Sequence, residues 1–269
     1  MESQARHAFR RLRLSLPQPW ARLLGEAAYA PVMLRSPETR RGFREEALIE
    51  RLLASGRPLT DQGAGCSERV VEVPWVLRSL PRPAGRVLDV GTAFAPPVYH
   101  RQLVRLPAAE RHGVDLAPFE LPGVVSHRAD ARALPFADGA FDRVICISAL
   151  EHMGLDNERY LGPDGAPRDE SGDVTALREM GRVAGADGRV LVTVPGGRAH
   201  AFDWLRQYDA EAWSDLVAQA GLEIVRLDCF EQDLQRGWQA CAPEALAARE
   251  YNGDAIGAGG LICAELRRA

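Results

Sequence analysis

From Arg86 onward, short apolar runs alternate with amphipathic stretches, and this alternation restricts the fold more than any other feature of the chain. Each run is too short to be a helix and each intervening stretch is long enough to be one, which is the arrangement parallel strands need for their crossovers. Strands are expected at residues 86–90, 111–115, 124–127, 143–147, 189–194, 222–229 and 261–266. Helical periodicity covers 98–106, 173–183 and 210–220, with Asp173 and Asp209 placed as N-caps. The expected class is therefore α/β, a Rossmann-like, seven-stranded, mostly parallel sheet with helices on both faces.

The segment before Arg86 reads differently. Ser36, Pro37 and Glu38 form an N-cap, first-position and first-turn sequence, and Phe43, Ala47, Leu48 and Leu52 then repeat at helical spacing until Gly56. A polar, Gly-rich loop over 57–65 leads to a second apolar stretch, 67–80, read as a helix that Pro74 begins or bends. These pieces suggest an N-terminal helical cap over residues 1–80, followed by a catalytic domain over 81–269.

A length of 269 residues with 46% hydrophobic side chains supports one sizeable core. The formal net charge of −4 supplies no positive field for a polyanion, so nucleic acid is not expected as a partner. Five scattered cysteines without a C-x-x-C pair indicate neither a zinc knuckle nor a disulfide framework; no metal is expected, and a reducing cytoplasm fits best. No apolar run approaches the ~18 to 20 residues that span a bilayer, and the start lacks a signal peptide's apolar stretch. A cytoplasmic protein without an integral membrane segment is expected. Arg6, Arg10, Arg11 and Arg13, followed by Trp20, Leu23 and Leu24, read as the solvated face of a terminal helix rather than a membrane contact. Homo-oligomerisation stays open.

The strongest local signal is Val87-Leu88-Asp89-Val90-Gly91-Thr92-Ala93-Phe94-Ala95, an apolar strand running into a turn of small residues. Such a turn lets backbone amides approach a ligand at the carboxyl end of a parallel strand. A dinucleotide fingerprint would need glycine where Ala93 stands, and Pro96-Pro97 delays the helix whose N-terminus would face a pyrophosphate.

Here the chain resembles the class I S-adenosylmethionine-dependent methyltransferases, whose first motif has the form (D/E)-x-G-x-G-x-G. Asp89 and Gly91 match it, whereas Ala93 and Ala95 replace the later glycines. The resemblance continues in order. Gly113-Val114-Asp115-Leu116 places an acid 24 residues after Gly91, close to the ~20 expected for a carboxylate that accepts ribose hydroxyls. Asp130-Ala131 stands where the family recognises adenine, through the acid and the following amide. Phe141 to Ser148 resembles the fourth strand, and Leu150-Glu151-His152 its "EH" end. The resemblance implies S-adenosylmethionine as cofactor, held by Asp89, Gly91, Thr92, Ala93, Asp115, Leu116, Asp130, Ala131 and Ser148, and methyl transfer as the activity. Looser likeness, in Arg69-Val70-Val71-Glu72-Val73-Pro74-Trp75 and in Gly172-Asp173, is to a branch linked to glycan and natural-product biosynthesis.

Methyl transfer needs a base only where the acceptor must lose a proton. His152, with an unperturbed pKa near 6.5, suits that role, with Glu151 to orient it. The acceptor is expected to be a small molecule, a hydroxyl of a sugar or glycosylated natural product. Its pocket should come from the N-terminal cap, from residues 154–172 with Tyr160, and from 231–259 with Trp238, Tyr251, Asn252 and Asp254. Two alternatives stay open: a non-catalytic cofactor-binding subunit or sensor, and a nicotinamide-dependent oxidoreductase.

Overall fold

The structure is a computed structural model and describes residues 37–162, 165–251 and 257–269. The chain divides into two compact units, residues 1–47 and 48–269. In the first, the described residues form the opening turns of helix α1 (Pro37–Ser55), where Arg41 and Glu45 pair one helical turn apart at 3.8 Å. Asn252, Asp254 and the basic stretch near the N-terminus lie outside the described residues.

The second unit is built on an eight-stranded sheet. Strands β1 (Arg86–Val90), β2 (Glu110–Asp115), β3 (Val125–Arg128), β4 (Arg143–Ile147) and β5 (Arg189–Gly196) are parallel. A two-stranded ribbon of β6 (His200–Ala201) and β7 (Arg206–Gln207) follows, outside the main sheet. Strands β8 (Leu222–Asp233), β9 (Gly237–Cys241) and β10 (Gly260–Arg268) complete the sheet in the order β3-β2-β1-β4-β5-β10-β8-β9, with β10 antiparallel to both β5 and β8.

Helices α2 (Arg69–Ser79) and α3 (Pro97–Arg105) pack on one face; α5 (Gly172–Ala184) and α6 (Ala210–Gln219) pack on the other. A short helix, α4 (Glu158–Leu161), lies in the insertion before α5. The strands sort their side chains with period two between these layers. Leu88 and Val90 face the core under α5 and α6, as do Val144, Cys146, Val190, Val192 and Val194. Val87, Ile145, Ile147 and Leu191 face the core that holds Val70, Val73, Val76 and Leu103. Cover on both faces explains why the central strands β1, β4 and β5 read as near-continuous apolar runs.

All seven expected strands are present, and α3, α5 and α6 stand at the expected helical stretches. The eighth strand, β9, is an added edge. Its indole side chain, Trp238, is fully buried and donates to the carbonyls of Cys66 and Ser67 at 3.3 and 3.2 Å, so it belongs to the core and not to an acceptor pocket. Asp209 caps α6 by accepting from the Ala212 amide at 2.9 Å. Asp173 lies inside the first turn of α5, which begins at Gly172, and not at its N-cap. Its Oδ1 accepts from the Val174 amide at 2.9 Å, while Oδ2, buried, accepts from the Tyr208 hydroxyl at 2.9 Å and lies 3.4 Å from the Arg206 guanidinium.

Candidate functional site

The cofactor motif sits where β1 ends. Gly91 adopts φ +89°, and a Cβ there would lie 2.5 Å from the Ala149 Cβ at the tip of β4, so only glycine lets the two turns meet. One 3-10 turn, Thr92–Phe94, then leads to α3. From α3, the Tyr99 hydroxyl donates to Asp89 Oδ1 at 2.6 Å, and the His100 ring reaches the Thr92 carbonyl at 2.7 Å. Asp89 is 2% exposed and its other oxygen, Oδ2, is buried without a hydrogen-bond partner among the described residues. Burial pushes the Asp89 carboxyl up to about 6, against the lowering effect of the Tyr99 and Thr92 bonds.

Asp115 ends the neighbouring strand. Its Oδ2 accepts from the Ala93 amide and its Oδ1 from the Ala117 amide, both at 2.9 Å, which ties the β1 turn to the β2 turn. Burial raises this carboxyl while those amides lower it. Each oxygen keeps a second lone pair, so two hydroxyls can still be accepted. Asp130 follows β3 and is gripped by Arg132: Nη2 lies 2.6 Å from Oδ2, and the Arg132 amide 2.9 Å from Oδ1. Burial alone would raise the Asp130 carboxyl, but these bonds hold it below the usual carboxylate range. The structure thus brings Asp89, Asp115 and Asp130 to the carboxyl ends of three adjoining strands.

Other expected residues take different positions. Leu116 is half-buried and its carbonyl accepts from Arg128 Nε at 3.1 Å. The methyl of Ala131 packs into the core. The Thr92 hydroxyl turns inward to the Asp89 carbonyl at 3.0 Å, leaving no side-chain group for a ligand. Ser148, at φ +43°, donates from Oγ to Glu72 Oε2 at 2.7 Å. Glu72 also accepts from Thr193 Oγ1 at 3.0 Å and from Arg69 Nη1 at 2.5 Å, so this fully buried acid clamps α2 to the tips of β4 and β5. Its signal in the sequence is a glutamate set among Val70, Val71 and Val73, because a buried charge must find partners.

Beyond β4, a single turn (Leu150–His152) carries the expected catalytic pair. Glu151 is 2% exposed, and Oε2 is buried without a hydrogen-bond partner among the described residues. Burial, helped by Glu72 and opposed by Arg69, pushes its carboxyl well above the usual range. His152 Nδ1 lies 2.6 Å from the Trp204 carbonyl. A carbonyl can only accept, so Nδ1 carries a proton, and in the neutral ring Nε2 holds the lone pair. Glu151 Oε1 is 3.8 Å from Nε2, beyond hydrogen-bond length. Among the described residues the Trp204 carbonyl holds the His152 ring, a contact between distant segments that no local motif encodes.

Comparison with known proteins agrees with this geometry. Residues 98–166 match the family model described as a methyltransferase domain. No curated protein matches the chain. Among solved structures, the [4+2]-cyclase SpnF is similar at 18% identity, covering 77% of this chain and 85% of its own, with a TM-score of 0.52. The Haloferax volcanii protein in complex with the Trm112 methyltransferase activator is similar at 17% identity, covering 82% of this chain and 98% of that one, with a TM-score of 0.50. The shared feature is the α/β fold. The methyltransferase-domain match covers residues 98–166, and the two solved structures share the fold; the cofactor that a methyltransferase domain calls for is S-adenosylmethionine.

The residues present fit that cofactor. Asp115 retains acceptor capacity, and the buried Asp89 oxygen, without a hydrogen-bond partner among the described residues, can take a donor. Among the described residues no helix is long and apolar enough to cross a membrane.

Proposed function

We propose that this enzyme methylates a hydroxyl of a small molecule, a sugar or glycosylated natural product, with His152 Nε2 as general base. The observation that carries the reading is the Nδ1 contact to the Trp204 carbonyl, which leaves the opposite ring nitrogen able to accept a proton. When bound, the cofactor supplies an electrophilic methyl on a sulfonium that leaves as a neutral thioether. His152 Nε2 would take the proton of the acceptor hydroxyl and leave on that oxygen the electron pair that a methyl group requires. Asp89 and Gly91, with the Ala93 amide, border the methionine end, Asp115 takes the ribose, and Asp130 with the Ala131 amide takes adenine. Thr92, Leu116 and Ser148 act through backbone position, since their side chains are engaged elsewhere. Glu151, buried and with its carboxyl pushed above the usual range by that burial, stands beside His152.

The same reading includes a cap over residues 1–80 and a catalytic domain over 81–269, a cytoplasmic setting in which five free cysteines stay reduced, and an acceptor that is not nucleic acid. A homo-oligomer is compatible with it. The test is His152→Ala. Turnover should fall by about 10² or more, while calorimetry shows unchanged S-adenosylhomocysteine affinity; a near-parental rate would remove His152 from the role. A sugar acceptor should gain the mass of one methylene in a metabolite panel, and gain confined to amines would overturn the hydroxyl assignment.

A further inference from the structure

Where α2 packs on the tips of β4 and β5, two buried carboxylates and one guanidinium meet with their bonding incomplete. Glu72 is saturated: Oε1 takes Arg69 Nη1, and Oε2 takes the Ser148 and Thr193 hydroxyls at 2.7 and 3.0 Å. Arg69 is not. Its side chain is 29% exposed where that of Glu72 is fully buried, and the Glu72 bond engages Nη1 alone, so Nε and Nη2 keep donors without a partner among the described residues. Glu151, in the turn that follows Ser148, has the opposite deficit. It is 2% exposed, its Oε2 has no donor, and its Oε1 lies 3.8 Å from His152 Nε2, beyond hydrogen-bond length. A buried acceptor left unbonded is unfavourable, and such an atom calls for a ligand that donates to it.

The two groups share one neighbourhood. Against the lowering effect of burial, Glu72, Glu68 and Glu151 hold the Arg69 guanidinium above its ordinary pKa; burial pushes the Glu151 carboxyl up, with Glu72 and Glu68 adding to it and Arg69 opposing it. That neighbourhood adjoins the cofactor cradle, because Ala149, next to Ser148, is the residue that Gly91 must clear. A further buried carboxylate oxygen without a donor, Asp89 Oδ2, lies at the adjoining tip of β1. After burial itself, Glu151 and Asp89 both push the Cys146 thiol of β4 up, so both acids act on one strand tip. Open donors on a guanidinium beside orphaned carboxylate oxygens are complementary to a small zwitterion. A simple anion would satisfy only Arg69, and a simple cation only the acids.

We infer that Arg69 and Glu151 bind the amino-acid end of the cofactor: the Arg69 guanidinium donates to the α-carboxylate, and Glu151 Oε2, with Asp89 Oδ2, accepts from the α-ammonium. An α-amino acid carries both charges on one carbon and so meets both deficits at once. The identity of the methyl acceptor does not enter. Calorimetry on the full-length enzyme compares S-adenosylhomocysteine with two analogues, one with hydrogen in place of the α-carboxylate and one with hydrogen in place of the α-amino group. The parent should bind S-adenosylhomocysteine at least about tenfold more tightly than either analogue. Arg69→Gln, which still offers Glu72 a donor, should cancel the preference over the decarboxylated analogue while holding that analogue within about twofold of its parental affinity. Glu151→Met should do the same for the deaminated analogue. Retained binding of the matching analogue shows that each variant folds. Where circular dichroism shows that one does not, Arg69→Lys or Glu151→Gln, milder changes at the same positions, should reduce the same preference, and an unchanged preference overturns the site. A parent that binds all three ligands alike overturns it, as does a folded variant that weakens all three equally or loses the other preference instead. A parent that binds none of them overturns the site and the cofactor together.

Discussion

Replacing Gly91 with alanine should expose how tightly the β1 and β4 turns are joined. Two costs add. An L-residue at φ +89° carries about 1–2 kcal/mol of left-handed strain. Its Cβ would also lie 2.5 Å from the Ala149 Cβ, and such overpacking typically costs about 1–3 kcal/mol. The sum, about 2–5 kcal/mol, corresponds to a fall in Tm of roughly 5–15 °C for a domain of this size. The second cost is separable, because Ala149→Gly removes the clashing methyl and the nearest remaining neighbour is then the backbone Cα of the same residue, at 4.0 Å. Gly91→Ala, Ala149→Gly and the double variant therefore form a cycle, read by urea unfolding. The double variant should be more stable than the sum of the single effects by about 1–3 kcal/mol, with only the strain remaining. A Gly91→Ala protein as stable as its parent, or a double variant whose losses simply add, would refute the steric argument.

Asp89→Asn tests the buried carboxyl. A folded-state value near 6, above the ordinary 3.8, means the native state holds its proton more tightly than the unfolded chain. Its stabilising effect is present below about pH 4 and is lost as pH rises through 6, by about 3 kcal/mol. Asparagine does not titrate and still accepts from Tyr99, so the stability difference should move in the variant's favour between pH 4 and pH 8; a difference constant with pH would sink the assignment. Glu72→Ala leaves Arg69, Ser148 and Thr193 without their shared acceptor and should cost about 3–5 kcal/mol, whereas Glu72→Gln, which keeps one acceptor oxygen, should cost less. Equal losses for the two, measured by chemical unfolding, would show that the hydrogen bonds are not what joins α2 to the strand tips.

The centre of the parallel sheet is legible in the sequence because β1, β4 and β5 are covered on both faces and so carry unbroken apolar runs. β9 gives no such signal, for the opposite reason. It is a five-residue edge strand, Gly237–Cys241, whose alternation is blurred by a buried tryptophan and a half-buried glutamine. The acids at 89, 115 and 130 are readable because each closes or follows a strand, and position along a parallel strand fixes which edge a residue reaches. Hydrogen-bond partners are not readable. The Glu72–Ser148 contact joins residues 76 apart and the His152–Trp204 contact residues 52 apart. Such pairings depend on how insertions fold back over the sheet, and periodicity carries no information about that. Asp173 shows the same limit: its sequence position suits a cap, and Oδ1 does take the first-turn Val174 amide, but its second oxygen is claimed by Tyr208, delivered by the segment after β7.

The two alanines that depart from the glycine-rich motif have a structural account. Of the three small residues in the turn, only Gly91 requires a left-handed backbone; Ala93 and Ala95 have no positive φ, and Ala95 sits at φ −63°, ψ 152°. The chain reaches the α3 start through one 3-10 turn and Pro96, so its direction is set without further glycines. The Ala93 amide meanwhile donates to Asp115. A side chain at 93 is compatible with that bond because the amide, not the Cβ, faces the carboxylate. Glycine at 93 would add freedom to the unfolded chain and would relieve no backbone strain in the folded one. What the motif must preserve is the approach of two turns at position 91, and there the glycine is kept.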